Sequence, residues 1–176
     1  MVITLIGYRG SGKSSVAQLL ATARDMSWID SDDVIEERTG LSIREIFAQQ
    51  GESEFRGLEE DVIRELTSRE SVIIAAGGGA ILSTENRRRM KEAGPVVWLQ
   101  AGIQQLADRI AQDETTAERR PSLTGRSVAE EIEVVLTTRK PLYDDAATMT
   151  IDTDGQSLHQ TVTEICRRLA SEDPSS

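Results

Sequence analysis

The chain has one cysteine, one histidine and only 3 % aromatic residues in 176 positions. A single thiol, Cys166, excludes an internal disulfide framework, and with only His159 beside it excludes a zinc site built from cysteine and histidine. Cys166 stands at helical spacing from Val162, Ile165 and Leu169, which reads as packing, and His159 lies beside a helix start. Long apolar runs are missing as well. The longest are about six residues, far short of the roughly twenty that span a bilayer. No basic start or signal-like stretch precedes Gly7, so the expected location is the cytoplasm. A basic excess is also absent. Twenty Lys and Arg against thirty Asp and Glu give a net charge of −10, which disfavours nonspecific contact with nucleic acid or anionic membrane. Any phosphate ligand must therefore be held locally.

What is present suits one soluble domain with a sizeable core: 38 % hydrophobic and 28 % charged residues. The expected domain spans 1–170, with a frayed tail at 171–176. Five apolar runs read as strands: Val2 to Ile6, a short one around Trp28 and Ile29, Val72 to Ala75, Val96 to Leu99, and Thr148 to Ile151. Helical patterns alternate with them: 12–24, from Val34 to a stop at Gly40, two helices meeting near Gly51, 84–93, 103–111, Val128 to about Arg139, and 157–170. Residues 113–126, DETTAERRPSLTGR, lose periodicity and hold Pro121 and Gly125, which reads as a mobile loop. The alternation predicts an α/β fold, a parallel sheet covered by helices on both faces, with ligands beyond the carboxyl ends of the strands.

The residues just past the strand ends carry the chemistry. GYRGSGKSS runs from Gly7 to Ser15, and Gly7, Gly10, Gly12, Lys13 and Ser14 satisfy G-x-x-x-x-G-K-[ST], the phosphate-binding loop. The glycines let successive N–H groups, through Ser11, Lys13, Ser14 and Ser15, turn toward phosphate oxygens at a helix start. Lys13 can reach the β- and γ-phosphates of ATP, and the Ser14 hydroxyl can ligate Mg²⁺. A second oxygen ligand would be Asp30, ending SWID, or in competition Asp152, ending MTID. The stretch from Thr153 to Gln156 reads as a turn passing the base or ribose. On the acceptor side, Asp32 lies two residues beyond Asp30. In FRGLEE, Arg56 and Glu59 are helical neighbours, so a carboxylate could hold a guanidinium open for an anion. Gly77, Gly78 and Gly79 at a strand end offer close approach to a ligand.

Taken in order, GYRGSGKS, DSD after the second strand, FRGLE, the GGG strand end, an RP-containing loop and RKPLY resemble shikimate kinase over nearly the whole chain. The resemblance implies a P-loop kinase of nucleoside-monophosphate-kinase-like architecture that uses ATP and Mg²⁺ to phosphorylate the 3-hydroxyl of shikimate. It implies that Asp30 helps position Mg²⁺, that Asp32, Arg56, Gly78, Gly79 and Arg139 bind shikimate, that a helical region at about 32–62 carries the acceptor, and that Arg120 closes over the phosphates from a lid at 113–126. It also favours a monomer. Two positions depart from the family's pattern: Ala75 and Ala76 precede GGG where serine or threonine is common, and the lid reads RPSL rather than RPLL. The rival readings are a related small-metabolite kinase, such as gluconate kinase, and a nucleotide-binding module without catalysis. Arg56, Glu59 and GGG speak against the first, and Asp32 together with Arg120 against the second.

Overall fold

The computed structural model describes residues 1–112 and 127–172. Five strands, β1 (Val2–Ile6), β2 (Ser27–Asp30), β3 (Val72–Ala75), β4 (Val96–Gln100) and β5 (Met149–Asp152), form one parallel sheet in the order β2-β3-β1-β4-β5. Seven helices accompany them among the described residues: α1 (Lys13–Arg24), α2 (Ser31–Thr39), α3 (Ile43–Thr67), α4 (Thr84–Ala93), α5 (Ile103–Gln112), α6 (Val128–Ala146) and α7 (Leu158–Glu172). The expected five-stranded α/β architecture is the one observed.

The inner strands β1, β3 and β4 are largely apolar because both faces of the sheet are covered there, and alternate residues serve opposite faces. Ile3, Leu5, Ile73, Ala75, Val97, Leu99, Met149 and Ile151 pack with residues of α1 and α7. Val2, Ile6, Val72, Ile74, Val96 and Trp98 pack on the other side with residues of α2, α3, α4 and α6. Since β1 is central, its carboxyl end opens between β3 and β4, where the connections diverge to either side. In an open parallel sheet that is where ligands bind.

Two helix boundaries differ from the sequence reading, and a third expected feature is found in place. Helix α2 begins at Ser31 rather than Val34, because the Asp30 carboxylate caps it, accepting from the Asp32 N–H at 2.9 Å. Helix α3 is two helical stretches joined at Gly51, whose backbone is non-helical (φ 86°, ψ 171°), which is the interruption anticipated there. Helix α6 runs on to Ala146 instead of stopping near Arg139, despite Pro141 inside it. An interior proline costs about 3 kcal/mol. The extra turns bury Tyr143 and Ala146 completely, and the Tyr143 ring stacks on Trp98 with centroids 4.9 Å apart, which offsets that cost. Among the described residues, no helix is long and apolar enough to cross a membrane.

Candidate active site

The phosphate loop leaves β1 and enters α1. Gly10 and Gly12 hold φ values of 78° and 88°, a region that side chains avoid, and through them the loop curls ahead of the helix N-terminus. Lys13 Nζ donates to the carbonyls of Gly7 and Tyr8, 3.0 Å from each, which anchors the ammonium over the turn. Ser14 Oγ donates to Asp30 Oδ2 at 2.6 Å. The structure thus pairs Ser14 with Asp30 rather than with the competing Asp152, whose carboxylate accepts from the Asp154 N–H at 2.9 Å in the turn after β5. Gln156, at the end of that turn, is exposed, and its side-chain oxygen accepts from Thr161 Oγ1 at 3.4 Å. The turn leads into Leu158, whose side chain comes near Gly12.

Three loop residues are also tied to the helices α5 and α6, which the motif does not announce. Tyr8 is buried with Leu106, Ile110 and Ile132. Arg9 faces Glu131 at 4.0 Å. Gly10 accepts from Arg109 Nη1 at 3.3 Å through its carbonyl, and a methyl group on it would lie 3.1 Å from Ile110 Cγ1. Tyr8 and Arg9 occupy variable positions of the motif, so spacing alone carries no sign of their partners.

A second cluster, expected to hold the acceptor, gathers around the glycines after β3. A side chain on Gly77 would collide with the Asp32 carboxylate and lie 3.1 Å from Glu59 Oε1, and one on Gly79 would collide with the guanidinium of Arg56. Close approach, not backbone angle, is therefore what requires glycine here. Arg56 Nη1 donates to Glu59 Oε2 at 2.7 Å and Nη2 to Glu52 Oε1 at 3.2 Å. Glu59 is 1 % exposed, so the guanidinium is fixed from below. Arg139 reaches the same turn from α6, donating from Nη1 to the Gly78 carbonyl at 3.1 Å. Ser31, between the two aspartates, is fully buried and accepts from the Gly77 N–H at 2.8 Å, joining the end of β3 to the start of α2. Sequence reasoning passes over it, and its place inside DSD is the available signal. Ala75 and Ala76 are each 1 % exposed, filling with methyl groups the place where the resemblance anticipates a hydroxyl.

Asp32, Arg56, Gly78, Gly79 and Arg139 thus meet beyond β2 and β3, next to Gly7, Gly10, Ser11, Gly12, Lys13, Ser14 and Ser15 beyond β1. Arg120 and the expected lid at 113–126 lie outside the described residues.

Comparison with known proteins accords with this arrangement. The family profile described as shikimate kinase matches residues 9–170. The chain belongs to the shikimate kinase family. A shikimate kinase of Rhodopirellula baltica is 44 % identical over 95 % of this chain and 89 % of its own length, and one of Vibrio cholerae is 40 % identical over 95 % and 94 %. Among solved structures, shikimate kinase from Acinetobacter baumannii in complex with shikimate superposes with a TM-score of 0.91 at 34 % identity, covering 99 % of this chain and 95 % of that one. A gluconokinase from Sinorhizobium meliloti, at 18 % identity and a TM-score of 0.56, shares the fold alone. Like other shikimate kinases, the protein is an ATP-using kinase, a transferase, and the gluconate kinase alternative is not favoured.

One further group of this shikimate kinase bears on the site. Tyr143, one helical turn beyond Arg139, is completely enclosed, and burial pushes the pKa of its hydroxyl up to about 12, with the nearby Arg139 charge acting against that rise. It therefore remains a neutral phenol beside Arg139 even well above neutral pH.

Proposed function

We propose that this chain transfers the γ-phosphoryl group of ATP to the 3-hydroxyl of shikimate, giving shikimate 3-phosphate and ADP, in the route to chorismate and the aromatic amino acids. The observation that carries the acceptor assignment is the convergence of Arg56 and Arg139 on Gly78 and Gly79, beside Asp32 and one strand away from the phosphate loop. Two guanidinium groups suit the single carboxylate of shikimate, because charge-assisted, parallel hydrogen bonds are both strong and directional. Arg56 Nε supports this reading, since it is buried and finds no hydrogen-bond partner among the described residues.

In this mechanism the acceptor hydroxyl oxygen forms a bond to the γ-phosphorus while the bond to the leaving oxygen of ADP breaks, and Asp32 orients the hydroxyl and accepts its proton. Lys13 and the loop N–H groups neutralise phosphate charge, and Arg120 adds to that. Catalysis is then positioning plus electrostatic stabilisation. The Ser14 hydroxyl and the Asp30 carboxylate fit Mg²⁺, which takes few protein oxygens and completes its shell with water and phosphate. Such an ion would supply further charge neutralisation. Gln156 and its turn sit toward the base. The enzyme acts as a cytoplasmic monomer with one domain at 1–170. The test is a coupled ADP-release assay with shikimate, with gluconate and with no acceptor. ADP release that depends on shikimate and is not supported by gluconate is expected, and equal rates in all three arms would overturn the reading.

A further inference from the structure

Arg87, Arg88 and Arg89 stand together in α4, and only one of them turns inward. Arg88 pairs with Glu85 and Glu92, and Arg89 with Glu85, at the surface. Arg87 is 9 % exposed and engages all three of its guanidinium nitrogens. Nε donates to Asp145 Oδ2 at 2.6 Å, Nη1 to the carbonyls of Ile81 at 2.7 Å and Leu82 at 3.3 Å, and Nη2 to Thr84 Oγ1 at 3.1 Å. Lys91, one turn further on, donates to the Asp145 carbonyl at 2.8 Å and to Oδ1 at 3.2 Å. Asn86 Nδ2 adds a bond to the Ala80 carbonyl at 3.1 Å. The short segment after Gly79 is therefore pinned through its carbonyls to α4.

The same segment is tied to α6 at two places. At its start the Gly78 carbonyl accepts from Arg139, and at its end Arg87 bridges to Asp145, both partners being on α6. An ion pair with one half-exposed partner is a weak way to gain stability, because solvent screens the attraction. What a planar, fully engaged guanidinium supplies is geometry. Arg87 and Lys91 hold the Asp145 carboxyl below the usual carboxylate range.

We infer that Arg87, through Asp145, is a positioning residue for the acceptor: it sets the distance between the glycine turn and α6, so that Arg139 and Arg56 meet the acceptor's carboxylate together. This rests on the acceptor reading above. A slip of the bridge would move Gly78 and Gly79 relative to Arg139 while leaving the phosphate loop, on the neighbouring strand, in place.

The experiment uses the full chain with both substrates varied, together with calorimetric titration of shikimate alone. Asp145→Ala changes a half-exposed side chain and spares the fold even if Arg87→Lys does not. Either variant is expected to weaken shikimate binding and raise its KM roughly threefold to thirtyfold, with the KM for ATP held within about twofold. In an Arg139→Lys background the added effect of Asp145→Ala should shrink to less than about twofold, since both then act on one contact. Parallel changes in the two KM values, unchanged shikimate binding, or full additivity with Arg139→Lys would overturn the inference. Arg139→Lys that by itself leaves shikimate binding unchanged would strike the acceptor assignment instead, and this inference with it.

Discussion

Arg56 is braced by Glu59 at 2.7 Å and Glu52 at 3.2 Å, which fixes the plane of its guanidinium against Gly79. Replacement by lysine keeps the charge and loses the fork. A charge-assisted bond is worth about 1.5–3 kcal/mol, so Arg56→Lys should lower kcat/KM for shikimate roughly tenfold to a hundredfold, while ATP binding measured without acceptor stays constant. Separate titrations with the two substrates check this, and weakened ATP binding with normal shikimate kinetics would refute it. In the proposed mechanism Lys13 acts on phosphate charge and not on the core. Lys13→Ala should cut turnover roughly a hundredfold or more with an unchanged circular dichroism spectrum. Tyr143 has a pH consequence of determinate sign. Its folded value of about 12 lies above the ordinary 10.0, so its contribution to stability is complete below pH 10 and is lost as pH rises toward 12. Denaturant midpoints measured across that window should fall, and Tyr143→Phe should remove this part of the decline.

At the level of elements, α3 begins with a capping box in which Ser42 Oγ accepts from the Glu45 N–H while the Glu45 carboxylate accepts from the Ser42 N–H at 2.8 Å. Ser42→Ala should cost about 1 kcal/mol of stability by chemical denaturation and leave both KM values alone. The helix is legible in the sequence through its apolar spacing, as is the break at Gly51, because both signals act locally. The phosphate loop and the three glycines are legible for the same reason: each imposes a backbone demand that few residues satisfy. Helix α6 is different. Pro141 signals an end, and what carries the helix past it is the fit of Tyr143 onto Trp98, two residues far apart in the chain. Arg87 is equally hidden. In the run NRRRMKE it reads as one more solvated charge, and only the packing of α4 against α6 selects it from its neighbours.

For the molecule as a whole, a net charge of −10 sets general repulsion of anions against a site that collects Lys13, Arg56 and Arg139 in one crevice. Self-repulsion of that size favours separate chains, and sedimentation equilibrium should return 19.3 kDa, the mass of one chain. A stable dimer would contradict the proposed monomer. The order of the strands also has a bearing on how the protein is made. Strand β1 takes its neighbours from Val72 onward on one side and from Val96 onward on the other. It precedes both of them, and its second side is covered only once β4 has been made. At roughly 5–20 residues per second, the ribosome needs about 5–20 s after Ile6 to reach Trp98. For most of that interval VITLI has no strand to pair with, and after β3 emerges one of its edges stays open until β4 follows.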